Sequence, residues 1–227
     1  MFTIAMIGQK GGTGKTTCCI ELGVTAARAG EAVAIIDLDP QSNAANWKDR
    51  RKDEENPSVV SAQPGRLKQT LEAAETNGAD LALIDTPGKN DNIALGAARL
   101  ADLVLIPCHG SIYDMETLPS VRDLIQAAGG KPAFVLYNGV PPLGSRIADE
   151  LKAMTKNHCG LEPCPVHFTR RHAYEEAPAS GQAGQEIDCE GKIVAETEKL
   201  YLFIREQVNN FRSEHGERQA GRASKRA

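Results

Sequence analysis

An apolar run over residues 2–8 leads into Lys10-Gly11-Gly12-Thr13-Gly14-Lys15-Thr16-Thr17, and a second apolar stretch follows from Cys18. The pattern reads as a buried strand, a glycine-rich turn and a helix, an order that few folds accommodate. The turn ends in a lysine and a hydroxyl, the two side chains a phosphate-binding loop requires. Gly11, Gly12 and Gly14 let backbone N–H groups, including those of Thr13 and Thr17, converge on phosphate oxygens, and the helix N-terminus adds favourable dipole charge. In such a loop Lys15 reaches the β- and γ-phosphates, and the Thr16 hydroxyl ligates magnesium.

The rest of the chain alternates apolar runs with amphipathic segments, which predicts an α/β fold with a mostly parallel sheet flanked by helices on both faces. Strands are predicted at residues 2–8, 32–37, 81–85, 103–107 and 133–138. Helices are predicted at 15–29, 67–77, 93–100, 117–128, 145–156 and 190–211. In the last helix Ile193, Val194, Leu200, Tyr201, Ile204, Val208 and Phe211 approximate one face. Residues 47–56 are highly charged and are expected on the surface.

A chain of 227 residues is long enough for one domain with a well-buried core. No apolar run approaches the length of a membrane span, and no secretory signal is evident at the N-terminus. Six cysteines are present, but the adjacent Cys18 and Cys19 suit a reduced cytoplasmic setting better than a disulfide framework. The formal net charge is −4, so any nucleic-acid binding must come from a local basic patch.

Lys10 is one lysine more than an ordinary loop of this kind needs. With it, the string from Lys10 to Thr17 resembles the deviant Walker-A ATPases of the ParA/MinD superfamily. The resemblance implies a P-loop NTPase-like domain over residues 1–211 that uses ATP and magnesium and hydrolyses ATP to ADP and phosphate. It also implies a sandwich homodimer in which Lys10 of one subunit reaches the ATP of the other. A cation delivered in this way neutralises charge that develops during phosphoryl transfer, as an arginine finger does.

Further motifs follow in the family's order. Asp37-Leu38-Asp39-Pro40-Gln41 resembles the DxDPQ element, the first switch. By resemblance Asp39 positions the attacking water and Asp37 supports the magnesium shell, although an Asp-Pro turn by itself is ordinary. The apolar run at 81–85 ends in Asp85, a Walker-B pattern whose carboxylate would hold magnesium through water, since that ion dehydrates reluctantly. Thr86-Pro87-Gly88 resembles the second switch, and its glycine is expected to make the loop more mobile. Residues 111–116 would approach the dimer interface. Asn138 stands where relatives use asparagine for adenine; its amide offers the base edge a donor and an acceptor, though Asn-Gly is also a common turn.

Phe168-Thr169-Arg170-Arg171-His172 and Glu175-Glu176-Ala177-Pro178-Ala179-Ser180-Gly181 resemble the family's strand, basic turn and EAPxxG-like motif, with threonine at 169 where relatives carry proline. Arg170 and Arg171, aided by Lys192 and Lys199, are the candidates for non-specific contacts to DNA phosphates. A solvated or salt-bridged arginine pair is the competing account. The resemblance adds a centromere-binding or cargo adaptor as partner, a nucleoid-associated cytoplasmic location, and partition or positioning of a plasmid, chromosome or other cargo. With the first strand at residue 2, the chain resembles the small ParA type, which is not expected to read a specific operator alone.

Residues 212–227 are rich in Arg, Lys, Gly, Ser and Ala and read as a disordered basic tail, without the apolar face of a membrane-targeting helix. Two other classes share the loop. An iron-protein-like redox ATPase needs paired cysteines at a dimer-bridging cluster, and Cys108 has no convincing partner for that. A P-loop metabolic ligase or synthetase would activate a small substrate instead. His158, Cys159, Cys164 and His167 cluster in sequence, but their spacing matches no strong zinc pattern.

Overall fold

Strands β1 (Phe2–Met6), β2 (Val33–Asp37), β3 (Ser58–Ser61), β4 (Leu81–Asp85), β5 (Leu103–Cys108), β6 (Ala133–Val140) and β7 (Glu162–Thr169) form one sheet in the order β3-β2-β4-β1-β5-β6-β7. Every pairing is parallel in this computed structural model, which describes residues 1–51, 55–142, 145–188 and 190–224. The helices are α1 (Lys15–Arg28), α2 (Asn43–Arg50), α3 (Leu67–Thr76), α4 (Asp91–Leu100), α5 (Ile112–Met115), α6 (Leu118–Ala127), α7 (Ser145–Met154), α8 (Ala173–Glu176), α9 (Gly184–Ile187) and α10 (Lys192–Ser224).

Parallel strands need crossover helices, and those helices cover both faces, so the central strands read as unbroken apolar runs. Every residue of β1, β2, β4 and β5 is buried. Alternate residues serve opposite cores: Ala5 and Ile7 pack with α3, α4, α6 and α7, whereas Phe2, Ile4 and Met6 pack with α1 and α10. All five predicted strands and six predicted helices are present, with ends shifted by a few residues except at the C-terminus. The edge strand β3 and the short helices α2, α5, α8 and α9 were not predicted, and β7 was expected only from the resemblance at Phe168, because none has an apolar run long enough to show a period.

One expectation is corrected. Residues 47–56 are not uniformly at the surface: Trp47 is fully buried, its Nε1 donates to the Gln182 carbonyl at 3.0 Å, and the Arg51 guanidinium lies 5.0 Å from its ring centroid. Charge around a single indole does not reveal that the indole faces inward. Helix α10 is assigned through to Ser224, and residues 225–227 lie outside the described residues. No proline interrupts this stretch, and its Arg, Glu, Gln and Ala residues are good helix formers. The buried face of α10 comprises Ile193, Leu200, Ile204 and Val208, and Phe211 closes it edge-on against Phe2 at 5.7 Å.

The five described cysteines are free and buried, and Cys189 lies outside the described residues. No helix among the described residues is long and apolar enough to cross a membrane.

Candidate functional site

Strand register assembles the site. Asp85 pairs with Met6 on one side and with Asp37 on the other, so both carboxylates end neighbouring strands beside the β1–α1 loop. This is the carboxyl edge of the sheet, where open α/β folds bind ligands. Gly12 and Gly14 adopt φ of 76° and 90°, a left-handed conformation that glycine takes without steric cost. Gly14 caps α1, which places the helix N-terminus at the loop.

Lys15 is buried and donates its ammonium to the Lys10 carbonyl at 2.8 Å. Burial lowers its pKa, while the charges of Asp85 and Asp39 pull it back upward. Thr16 Oγ1 donates to Asp85 Oδ2 at 2.6 Å. The other oxygen, Asp85 Oδ1, is buried with no hydrogen-bond partner among the described residues. Burial pushes the Asp85 carboxyl up to about 7. A shielded carboxylate with an orphaned oxygen, next to a hydroxyl, is an all-oxygen donor set that fits a hydrated magnesium ion. Thr13 Oγ1 is a second buried oxygen without a partner.

Asp37 organises the turn after β2. Its Oδ1 accepts from Asp39 N at 3.0 Å, and its Oδ2 accepts from Ala44 N at 3.0 Å and Ala45 N at 3.1 Å. It thus caps the first turn of α2, where a carboxylate also meets favourable helix-dipole charge. Asp39 Oδ1 accepts from Gln41 N at 2.9 Å, and Ser42 takes a positive φ of 51° to enter the helix. Asp39 itself is half-exposed and lines a cleft of about 740 Å3 with Lys15, Thr16, Gln41, Thr86 and Lys89.

The second switch lies against the phosphate-binding loop. Thr86 Oγ1 donates to the Met6 carbonyl at 2.7 Å, and Lys89 N donates to the Gln9 carbonyl at 3.0 Å. A Cβ built on Gly88 would sit 2.7 Å from Gly11 N and 2.8 Å from Lys10 C. Gly88 therefore serves close approach of two backbones.

Lys10 Nζ lies 3.2 Å from Asp114 Oδ1 and 5.3 Å from the Tyr113 ring centroid, both on α5 of its own chain. The sequence resemblance assigned this segment to the approach of a dimer interface but did not reveal the ion pair, which joins residues that are distant along the chain.

A second cavity, of about 460 Å3, continues from Gly12, Gly14 and Thr17 towards Asn138, Arg170 and Arg171. Asn138 Nδ2 donates to the Thr13 carbonyl at 3.3 Å, and a Cβ on Gly14 would lie 1.9 Å from that nitrogen. Arg171 pairs with Glu196 at 2.8 Å, and Thr169 donates to the same carboxylate through N at 3.0 Å and Oγ1 at 2.7 Å. Threonine at 169 thus organises the basic turn through Glu196. Lys192 is exposed and pairs with Glu190, while Lys199 is exposed on α10. Of the four residues read as DNA contacts, the two arginines adjoin the phosphate-binding loop and the two lysines lie on α10.

The sequence also gave no sign of the seam between α2 and residues 177–187. A Cβ on Gly181, whose φ is 72°, would come within 2.3 Å of Arg51 N, and Arg51 pairs with Glu186 at 2.7 Å. Glu21 on α1 is buried and accepts from Gly184 N at 2.5 Å.

Residues 4–219 match a family model described as the CobQ/CobB/MinD/ParA nucleotide binding domain. The chain is 26% identical to the chromosome-partitioning ATPase Soj of Thermus thermophilus, over 79% of this chain and 85% of that protein. It is 27% identical to maintenance of carboxysome distribution protein A of Gloeobacter kilaueensis, over 91% of this chain and 93% of that protein. Among solved structures, the septum site-determining protein MinD complexed with Mg-ADP from Pyrococcus horikoshii has a TM-score of 0.72 at 16% identity, covering 92% of this chain and 98% of that one. Cobyrinic acid a,c-diamide synthase from Mycobacterium smegmatis, with bound ADP and magnesium, has a TM-score of 0.61 at 17% identity, covering 82% and 91%. The fold is that of these P-loop proteins, and the chain belongs to the CobQ/CobB/MinD/ParA nucleotide-binding domain family.

Proposed function

We propose that this protein is a magnesium-dependent ATPase whose subunits close in pairs over two ATP molecules, bind DNA without sequence preference in that state, and partition or position a cargo. The observation that carries the reading is the cleft itself: Lys10, Lys15, Thr16 and Asp39 line one cavity, with Asp85 behind Thr16. Lys15 and the Gly11, Gly12, Thr13, Gly14 and Thr17 backbone would bind the phosphates. Thr16 and Asp85 would hold magnesium, which when bound supplies positive charge at the phosphate oxygens. Asp37 would support the magnesium shell, and its bond from Asp39 N helps fix Asp39, which would orient water towards the γ-phosphate. Such a carboxylate works by positioning and electrostatics and need not be a strong base. Asn138 and the cavity beyond it would receive the adenine.

Lys10 completes the site from a second subunit. Two weak basic surfaces held in one dimer gain avidity through effective concentration, and ATP drives the change only if the dimer binds it more tightly than the monomer does. Arg170, Lys192 and Lys199, with Arg171 held by Glu196, are the DNA-phosphate candidates on a chain of net charge −4. The names of the partitioning and distribution relatives support cargo positioning; the nucleoid-associated cytoplasmic setting, and a centromere-binding or cargo adaptor that supplies specificity, belong to the same proposal.

The test is DNA binding and sedimentation with ATP, ADP and no nucleotide, across a salt series with magnesium present. The reading expects dimers and salt-sensitive DNA binding with ATP alone. Phosphate release that depends on a small substrate, with no effect of DNA, would move the chain to the ligase class. For the surface, Arg170→Glu with Arg171→Glu should weaken DNA binding yet spare ATP-driven dimerisation; an unchanged isotherm would place DNA elsewhere.

A further inference from the structure

Lys10 is gripped from three directions within its own subunit. Its carbonyl accepts the Lys15 ammonium at 2.8 Å, and Gly88 rests against its backbone, so a Cβ there would meet Lys10 C at 2.8 Å. The backbone is therefore pinned between the second switch and α1, and the side chain is the part left to swing. Its ammonium lies 3.2 Å from Asp114 Oδ1 and over the Tyr113 ring.

The Asp114 carboxylate is built to receive it. Ser111 Oγ donates to Oδ2 at 2.7 Å, and Asp114 N donates back to Ser111 Oγ at 3.2 Å, which fixes the carboxylate on α5. The Asp114 side chain is 11% exposed and that of Lys10 is 33% exposed. A carboxylate this shielded is poorly solvated once its cation leaves, so the ammonium departs only towards a stronger anion. Burial alone would raise the Asp114 pKa, but Ser111 and Lys10 together hold it below the ordinary value.

We propose that Asp114 is a positioning residue for Lys10: it keeps the ammonium on its own subunit until the triphosphate bound by a second copy of this chain competes for it. The inference rests on the dimer reading above and deepens it by naming what the lysine must leave. Closure becomes an exchange of counter-ions, Asp114 for phosphate. A triphosphate carries more charge than a diphosphate, so the exchange favours ATP over ADP. Tyr113 and Ile112, each 70% exposed beside this pair, place apolar surface where the second copy would meet it.

Two measurements test it, using Asp114→Asn, which keeps shape but loses charge, and Asp114→Glu, which restores charge. In the nucleotide-free protein, acetylation of lysines with a limiting amine reagent is read residue by residue by mass spectrometry, with exposed Lys199 as internal standard. Lys10 labelling should rise about fivefold in Asp114→Asn, the scale of one partly shielded ion pair, and return towards wild type in Asp114→Glu. In sedimentation with ATP, the protein concentration at half-dimerisation should fall about fivefold in Asp114→Asn and recover in Asp114→Glu. A role confined to packing would move neither quantity in a charge-dependent way. Unchanged Lys10 labelling, or a half-point indifferent to charge at 114 in a protein that does dimerise, overturns this proposal alone. A wild-type chain that stays monomeric with ATP overturns the dimer reading along with it.

Discussion

Lys15 donates its ammonium to the carbonyl oxygen of Lys10 at 2.8 Å, so one peptide group ties the two lysines of the phosphate-binding loop together. A backbone carbonyl is a weaker acceptor than a phosphate oxygen, because it carries only a partial charge. Lys15 is therefore held in place yet free to exchange this contact for a ligand. Burial, which lowers its pKa, makes a full negative charge at the site more favourable still.

Lys15→Ala removes that cation and its hydrogen bond to phosphate. Charge-assisted bonds are worth roughly 1.5–3 kcal/mol, so ATP affinity should fall about 10- to 150-fold in titration calorimetry. Wild-type affinity in this variant would remove the loop assignment.

Asp39→Ala should bind ATP normally and hydrolyse it about 100-fold more slowly, the scale of a misplaced nucleophile. Single-turnover phosphate release measures the loss, and sedimentation should show ATP-bound dimers accumulating. Turnover equal to wild type would exclude Asp39 from the chemistry.

Gly88→Ala inserts a methyl group where backbone atoms of Lys10 and Gly11 leave 2.8 and 2.7 Å. The second switch must lift away, at a cost of about 1–3 kcal/mol. Urea unfolding should register that loss, and ATP turnover should fall with it. A stable, fully active variant would mean that the two loops are not in contact.

Trp47→Ala opens a cavity under α2 and should cost about 3–5 kcal/mol. Trp47→Phe, which loses mainly the bond to the Gln182 carbonyl, should cost about 1 kcal/mol. Urea unfolding followed by circular dichroism separates the two, and an equal loss in both variants would contradict the packing described.

Glu21 provides the pH test. Burial raises its pKa to about 7, and the bonds from Gly184 and Gln185 only partly offset this. The folded chain thus holds a proton that the unfolded chain releases near the ordinary glutamate value. The stability contribution is fully present below about pH 4 and is lost as pH rises towards 7. Glu21→Gln should flatten the melting temperature over that window. A slope unchanged by the substitution would show that Glu21 is ionised throughout.

The strands at 2–6 and 81–85, the loop at Lys10 to Thr17 and the carboxylates Asp39 and Asp85 were all legible in the sequence, because each rests on residues close together in the chain. Strand burial shows as an apolar run, and loop chemistry shows as spacing. The motif around Asp37 did not show that its oxygens also accept from three backbone N–H groups, those of Asp39, Ala44 and Ala45. The close approach of Gly88 to Lys10 and Gly11 had no signal in the sequence, because those residues lie far from it in the chain.

The sequence by itself determined the α/β fold class and the phosphate-binding chemistry, since both follow from local period and local motif. Only the tertiary structure decided that Asp114 takes Lys10, that Glu196 takes Arg171 and Thr169, and that Trp47 is buried against Gln182. These partners lie far apart in the chain and meet only through strand order and helix packing. Partner choice among charged side chains depends on which of them the folded sheet brings within a few ångströms, and no short-range pattern encodes that distance.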